Sequence, residues 1–374
     1  MSELQSVGKC DACKQLGDMC EKATVSMNSL KSLIRKCIAD ILYTAAVYRW
    51  RHRGKVVLLM YHRVLTKEEL SRHPTQAGMY VLDTVFAQQM SFVKNNFTVL
   101  SLQELLDQWH CGAWNEQSRY CVITFDDGWL DNYRHAYPVL KRLCLPATIF
   151  LPTDYVGSNE WFWPDQLASL CKAAAGRTEG TISPKRIEAV LSGFLGGILP
   201  FSAESMANHE QLADQIIERC KHLPIDRIRE LVRALALELK VTLPHGRVIV
   251  NWDEVREMSQ GGVSFGSHSC THRIMTTITP DEVSEELVRS RQVLLEQGVN
   301  YVPVYCYPNG NSDTRIQEQV RVSGYEAAVS VQMGVEGNRP ENRYAIRRVG
   351  IHNDITHTIP LFSFRLFGPQ PSSV

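Results

Sequence analysis

From residue 56 onward the chain alternates short apolar runs with longer amphipathic ones. Val56 to Tyr61, Phe97 to Leu100, Cys121 to Phe125 and Ala147 to Leu151 are rich in β-branched and aromatic residues and are too short for buried helices, so they read as strands. Helical periodicity lies between them, near 83–95, 101–109 and 131–143. After residue 245 the alternation resumes, with strands near 263–267, 303–306, 326–330 and 345–349 and helices near 252–259, 280–297 and 313–322. Strands separated by helices predict parallel pairing, and about eight of them are compatible with a closed or nearly closed (β/α) barrel.

The block 158–244 breaks this rhythm. It reads as successive helices, Pro164 to Lys172, Ser183 to Leu191, Ala203 to Lys221 and Asp226 to Leu239, and so as a helical insertion. Loops of a barrel near its functional rim shape specificity, and this insertion leaves directly after a strand. Its opening Glu160-Trp161-Phe162-Trp163 is read first as local core, although aromatic rings also stack on sugars. The expected organisation is an N-terminal helical segment, 1–54, and an α/β barrel domain, 55–374, interrupted by the insertion.

Chemistry concentrates at two strand ends. Thr124-Phe125-Asp126-Asp127-Gly128 places two carboxylates where Gly128 permits a sharp turn, and Val263 to Ser267 delivers His268 and His272. Two imidazoles with carboxylate oxygens make a ligand set with open positions, suited to a catalytic metal. Neighbouring residues on an extended chain point to opposite sides, so one aspartate is expected to bind metal while the other handles protons. Zinc is the first expectation, with iron, cobalt or nickel also accommodated.

Composition narrows the classes. Forty acids balance forty bases, so no global basic field exists to hold nucleic acid. Eleven cysteines, several inside apolar runs, suit reduced thiols in a reducing compartment. Cys10, Cys13 and Cys20 lack a second pair to complete a zinc site, and the first twenty residues lack the apolar core of a signal peptide. A cytoplasmic location is therefore expected. Residues 24–55 combine Leu30, Leu33, Ile34, Ile38 and Leu42 with a series of lysines and arginines, a pattern that suits peripheral contact at the inner face of an anionic membrane. The alternative, preferred on the sequence, is packing on the barrel or on a second subunit; the oligomeric state is not legible.

Taken in order, Met60-Tyr61-His62-Arg63-Val64, the Asp126-Asp127 motif, Asn251 to Met258 before the His pair, and Tyr305-Cys306-Tyr307-Pro308-Asn309-Gly310 resemble the polysaccharide deacetylases of the NodB-homology type, in their exopolysaccharide branch. The resemblance spans roughly 55–157 and 245–356. It implies a distorted (β/α) barrel of seven or eight strands and hydrolytic removal of N-acetyl groups from an N-acetylated glycan. It assigns Asp127, His268 and His272 to the metal and Asp126 to the base. It also implies an oxyanion and substrate-binding segment at Tyr307, Pro308 and Asn309, with the backbone N–H of Asn309 as donor. His62 is the general acid it favours, with His352 as the alternative. The arginine that opens the third motif in many relatives is missing, and Arg347 or Arg348 could take its place or be surface charges. Competing readings are a C–N hydrolase of the same fold acting on a small non-sugar amide, and a catalytically silent carbohydrate-binding protein.

Overall fold

A computed structural model describes residues 30–72, 75–76, 78–175, 184–196 and 208–368. The Cys10, Cys13 and Cys20 group and residues 24–29 of the expected N-terminal helix lie outside these. Seven parallel strands close a ring in chain order: β1 (Lys55–Tyr61), β5 (Arg119–Phe125), β6 (Ala147–Leu151), β7 (Val263–Ser267), β8 (Tyr301–Cys306), β9 (Ala327–Met333) and β10 (Ile346–Gly350), which pairs back with β1. The short β4 (Thr98–Val99) adds to β5 on the edge that β5 also shares with β6, β4 meeting Tyr120 and Cys121 and β6 meeting Thr124 and Phe125. The expected α/β barrel is thus a seven-stranded one with an eighth strand wedged beside it. A two-stranded parallel ribbon, β2 (Arg63–Leu65) with β3 (Tyr80–Leu82), was not expected, because three-residue runs carry no readable period.

Alternation along the strands divides the core. Val56, Leu58, Tyr120, Val122, Phe150, Val304 and Val329 form one buried cluster with Leu102, Leu105 and Leu106. The residues one step out of phase, Val57, Leu59, Cys121, Ile123, Ile149 and Leu151, pack instead with helix residues such as Phe86, Met90 and Val93. The ring strands are therefore buried on both faces over most of their length, which is why these runs read as continuously apolar.

Between β6 and β7 the chain builds helices Trp163–Ala175, Pro184–Leu195, His209–Cys220 and Ile225–Leu239. They own a hydrophobic cluster, including Leu167, Leu191, Leu212, Ile216, Leu231 and Leu235. At the other end of the chain, helix Ile359–Phe367 buries Leu361, Phe362, Leu366 and Phe367, so the apolar C-terminal run covers the barrel flank.

Candidate active site

All strands run the same way, so the residues following β1, β5, β7 and β8 meet at one rim. Asp127 and Gly128 both have left-handed backbone, φ 71° and 68°. At Gly128 a side chain would also run into Leu151, its Cβ lying 2.5 Å from Cδ2. The two aspartates are thus separated by a sharp turn, which corrects the expectation of simple alternation along an extended strand. Ser269, His272 and Asn309 are also left-handed, with φ 65°, 57° and 56°. Non-glycine residues in this region cost of order 1 kcal/mol or more each, and such strain gathers at functional sites.

Three side chains converge. His268 Nε2 lies 3.3 Å and His272 Nε2 3.2 Å from Asp127 Oδ1. His268 Nδ1 donates to the Cys306 carbonyl at 2.8 Å, which aims Nε2 at the carboxylate. Trp129 Nε1 donates to the other oxygen, Asp127 Oδ2, at 2.9 Å. The pair 268 and 272 sits on a loop and not on a helix, and Glu286 fastens that loop by accepting from the backbone N–H groups of Cys270 and Thr271 and from the Thr271 hydroxyl. Burial alone would raise Asp127, yet the two imidazoles hold it well below the usual carboxylate range. Burial lowers the His272 imidazole, despite Asp127, so this ring favours the neutral form that a ligand needs.

Asp126 has a different partner. Arg348, fully buried, donates from both terminal nitrogens to Oδ1 and Oδ2 at 2.7 Å. Its Nε donates to the Ser330 carbonyl at 2.9 Å. Burial pushes Asp126 up, but the guanidinium outweighs it and the carboxyl lies below its ordinary value. Arg347 faces the other side of β10 and pairs with Glu336 and Glu341, so the two neighbours divide by strand parity. Asp126, His268 and Cys306 form a second group close enough to share a cation. That set fits poorly, because both Asp126 oxygens already carry a cationic donor and burial keeps the Cys306 thiol protonated. Asp127, His268 and His272 fit a divalent metal: two imidazoles and one carboxylate, with outer hydrogen bonds to Asp127 and His268.

A cavity of about 400 Å³ opens over these groups. His62, Tyr307, Asn309 and His352 line it, whereas Pro308 is buried beneath the loop. His62 Nε2 lies 3.9 Å from Asp126 Oδ2, and Asn132 Nδ2 donates to the His62 carbonyl from a widened helical turn at 132–136. His352 is bonded to Asp354. The Tyr307 hydroxyl donates to the Tyr344 carbonyl at 2.8 Å, and its ring forms wall. Phe162, read from sequence as local core, is buried and also lines the cavity, its ring centroid 4.7 Å from that of His272.

Sequence reasoning missed four supports. Glu286 had a signal, a carboxylate on the same helical face as Val283, Leu287 and Leu294. Trp129 and the Arg63–Asp131 pair had none: Arg63 stacks 4.2 Å over Trp129 and bonds Asp131 at 2.9 Å, bracing the Asp127 side of the cavity from β2. Asp165, at the start of the insertion, lines the cavity too. Burial and the nearby Asp127 charge push its carboxyl up to about 7, against the pull of Arg63.

The polysaccharide deacetylase family model matches residues 114–177 and 232–328, a range that holds the Asp126-Asp127 turn, His268, His272 and the Asn309 loop. The chain belongs to the polysaccharide deacetylase family. The poly-beta-1,6-N-acetyl-D-glucosamine N-deacetylase of Staphylococcus epidermidis is 26% identical over 227 residues, 57% of this chain and 72% of that one. The YxkH protein of Bacillus subtilis is 21% identical over 313 residues, 82% and 75% of the two chains. The Streptococcus pyogenes deacetylase PplD, solved in complex with acetate, superposes with a TM-score of 0.53 at 18% identity, covering 84% of this chain and 99% of that one, which establishes the shared fold. Homologues and fold are those of N-deacetylases, which are hydrolases, and the family is metal-dependent. The family match skips residues 178–231, the middle of the helical insertion.

Proposed function

We propose that this protein is a metal-dependent N-deacetylase that removes acetyl groups from N-acetylated amino sugars of a glycan. The observation that carries the reading is the division of labour between adjacent carboxylates: Asp127 faces two imidazoles while Asp126 is clamped by Arg348. Asp127, His268 and His272 would hold the cation, with zinc the first choice from two nitrogen ligands and one oxygen. When bound, the cation supplies Lewis acidity, polarising the acyl oxygen and acidifying water, so that a base as weak as an arginine-paired carboxylate suffices.

The side chains account for the remaining work. Asp126 stays ionised beside Arg348 and takes the proton from the attacking water. As the C–N bond breaks, His62, beside Asp126 on the cavity wall, gives a proton to the departing amine. The backbone N–H of Asn309, in its left-handed turn, is the candidate donor for the developing oxyanion. Trp129, Phe162 and Tyr307 give the cavity aromatic walls of the kind that pack on sugar rings, which favours a glycan over a small aliphatic amide. Support also comes from the Staphylococcus epidermidis relative, named for poly-beta-1,6-N-acetyl-D-glucosamine.

Acetate release from a panel of N-acetylglucosamine oligomers by zinc-loaded protein tests the proposal. Release by wild type, lowered at least about 10²-fold in Asp126→Asn, is expected. Full metal loading without release from any member would overturn the glycan assignment.

A further inference from the structure

Helix 30–44 leans on the barrel through one narrow strip. Ala39 is buried at 1% exposure, Leu42 and Tyr43 are half-buried beside it, and Arg35 sits 6.0 Å from the Phe364 ring. Its other face is apolar as well, and bare. Leu30, Leu33, Ile34, Ile38 and Ile41 are 57%, 58%, 49%, 42% and 67% exposed. At about 100° per residue these five fall within an arc of about 140° centred opposite Ala39. The sequence favoured a helix that spends its apolar residues on the barrel or on a second subunit. In the structure the barrel takes Ala39, Leu42 and Tyr43 and leaves the larger stripe outward, because the two sets lie on opposite sides of the helix.

Charge separates the remaining occupants. Lys31, Arg35, Lys36, Arg49, Arg51, Arg53 and Lys55 stand against Asp40 alone between residues 30 and 55, in a chain whose net charge is zero. Lys31 borders the apolar arc directly, and Trp50, 76% exposed, lies near Arg53 at 5.5 Å. A symmetric pairing of two copies through this face would bring like charges together. A bilayer rich in anionic headgroups instead matches both parts, taking the leucines and isoleucines at the acyl boundary and the cations among the phosphates. No helix among the described residues is long and apolar enough to cross a membrane, so the contact is one of lying on the surface.

We infer that helix 30–44, with the basic segment 47–55 that follows, docks this protein on an anionic membrane surface. Arg35 reaches Phe364, and the next residue, Arg365, lines the catalytic cavity. The N-terminal half of the helix therefore lies on the flank that carries Arg365, while segment 47–55 leads into β1 at the end away from the rim, so docking would lay that flank on the headgroups. Under the deacetylase reading, the substrate is then a glycan held at that surface, such as one joined to lipid. Only this last step rests on that reading.

The test uses the full chain and sedimentation with two kinds of vesicle, phosphatidylcholine alone and phosphatidylcholine with about 30% phosphatidylglycerol. Expected is pelleting with the anionic vesicles only, weakened by high salt. Ile34→Asp combined with Ile38→Asp should abolish it, and Lys31→Gln and Arg49→Gln should each weaken it about fivefold. The melting temperature and acetate release from a soluble oligomer should stay unchanged in these variants, since none of the four positions touches the cavity. Equal recovery in the supernatant with both vesicles would overturn the inference. So would light scattering that finds a dimer which the Ile34→Asp, Ile38→Asp protein cannot form. Because sedimentation requires no turnover, its failure is distinct from a failure of the deacetylase assignment.

Discussion

On the barrel side of the cavity the charged groups that line it have fixed partners: Arg348 on Asp126, Trp129 and both imidazoles on Asp127, and the Cys306 carbonyl on His268. On the insertion side, Asp165 and the Glu218–Lys221 pair reach the same space from helices that carry their own hydrophobic cluster. The first wall is over-determined by strand ends and left-handed turns, and the second rests on helical side chains whose ends can adjust. Bond breaking needs atoms held to fractions of an ångström, which a barrel rim provides. Under the proposed function, recognition of one glycan among many would change with the helices, and the family match passes over the middle of the insertion.

Substitutions on the two walls should therefore fail in different ways. Asp127→Ala and His268→Ala should lose both bound metal and acetate release, read by metal analysis and turnover on the same samples. Asp126→Asn should keep the metal and lose turnover by about 10² to 10⁴. Metal loss in Asp126→Asn would overturn the division of roles between the two aspartates. Arg348→Ala leaves a buried carboxylate without its partner, and unfolding in denaturant should register a loss of about 3–5 kcal/mol. Without the guanidinium the Asp126 carboxyl moves up, so the acid limb of the activity profile should shift to higher pH.

How far the sequence could reach is visible in Arg347 and Arg348. Both stood as candidates because the phase of β10 was not fixed until its pairing with β1 and β9 was known; one residue of slip exchanges the inside for the outside. Asp126, Asp127, His268 and His272 were legible because they sit in short motifs at the ends of runs that could hardly be anything but strands. Glu286 and Trp129 act through contacts made only after folding. Asp165 lay hidden for a further reason: whether a helix in an insertion faces the catalytic rim depends on how that insertion docks, and no local pattern encodes this.

Between the walls stands the choice of general acid. His62, 3.9 Å from Asp126, should matter more than His352, which is bonded to Asp354 at the cavity edge. His62→Ala should lower kcat by about 10² or more, and His352→Ala by much less. The reverse order would move the acid to the far side of the cavity.

The mildest expected effect belongs to Asp165, and it sharpens the contrast most. Its carboxyl is pushed up to about 7, first by burial and then by the Asp127 charge, so the folded protein holds this proton more tightly than the unfolded chain, whose aspartates titrate near about 4. Stability from this site is then complete below about pH 4 and is lost as pH rises toward about 7. Asp165→Asn keeps the shape and removes the titration. Melting curves in the presence of a chelator should fall between pH 5 and 8 more steeply for wild type than for Asp165→Asn, and identical slopes would discard the assignment. In turnover, a group on the recognition wall should raise KM for the oligomer by several-fold with kcat nearly unchanged. A loss in kcat equal to that in kcat/KM would instead place Asp165 with the catalytic groups, and the line drawn here between barrel chemistry and insertion recognition would have to move.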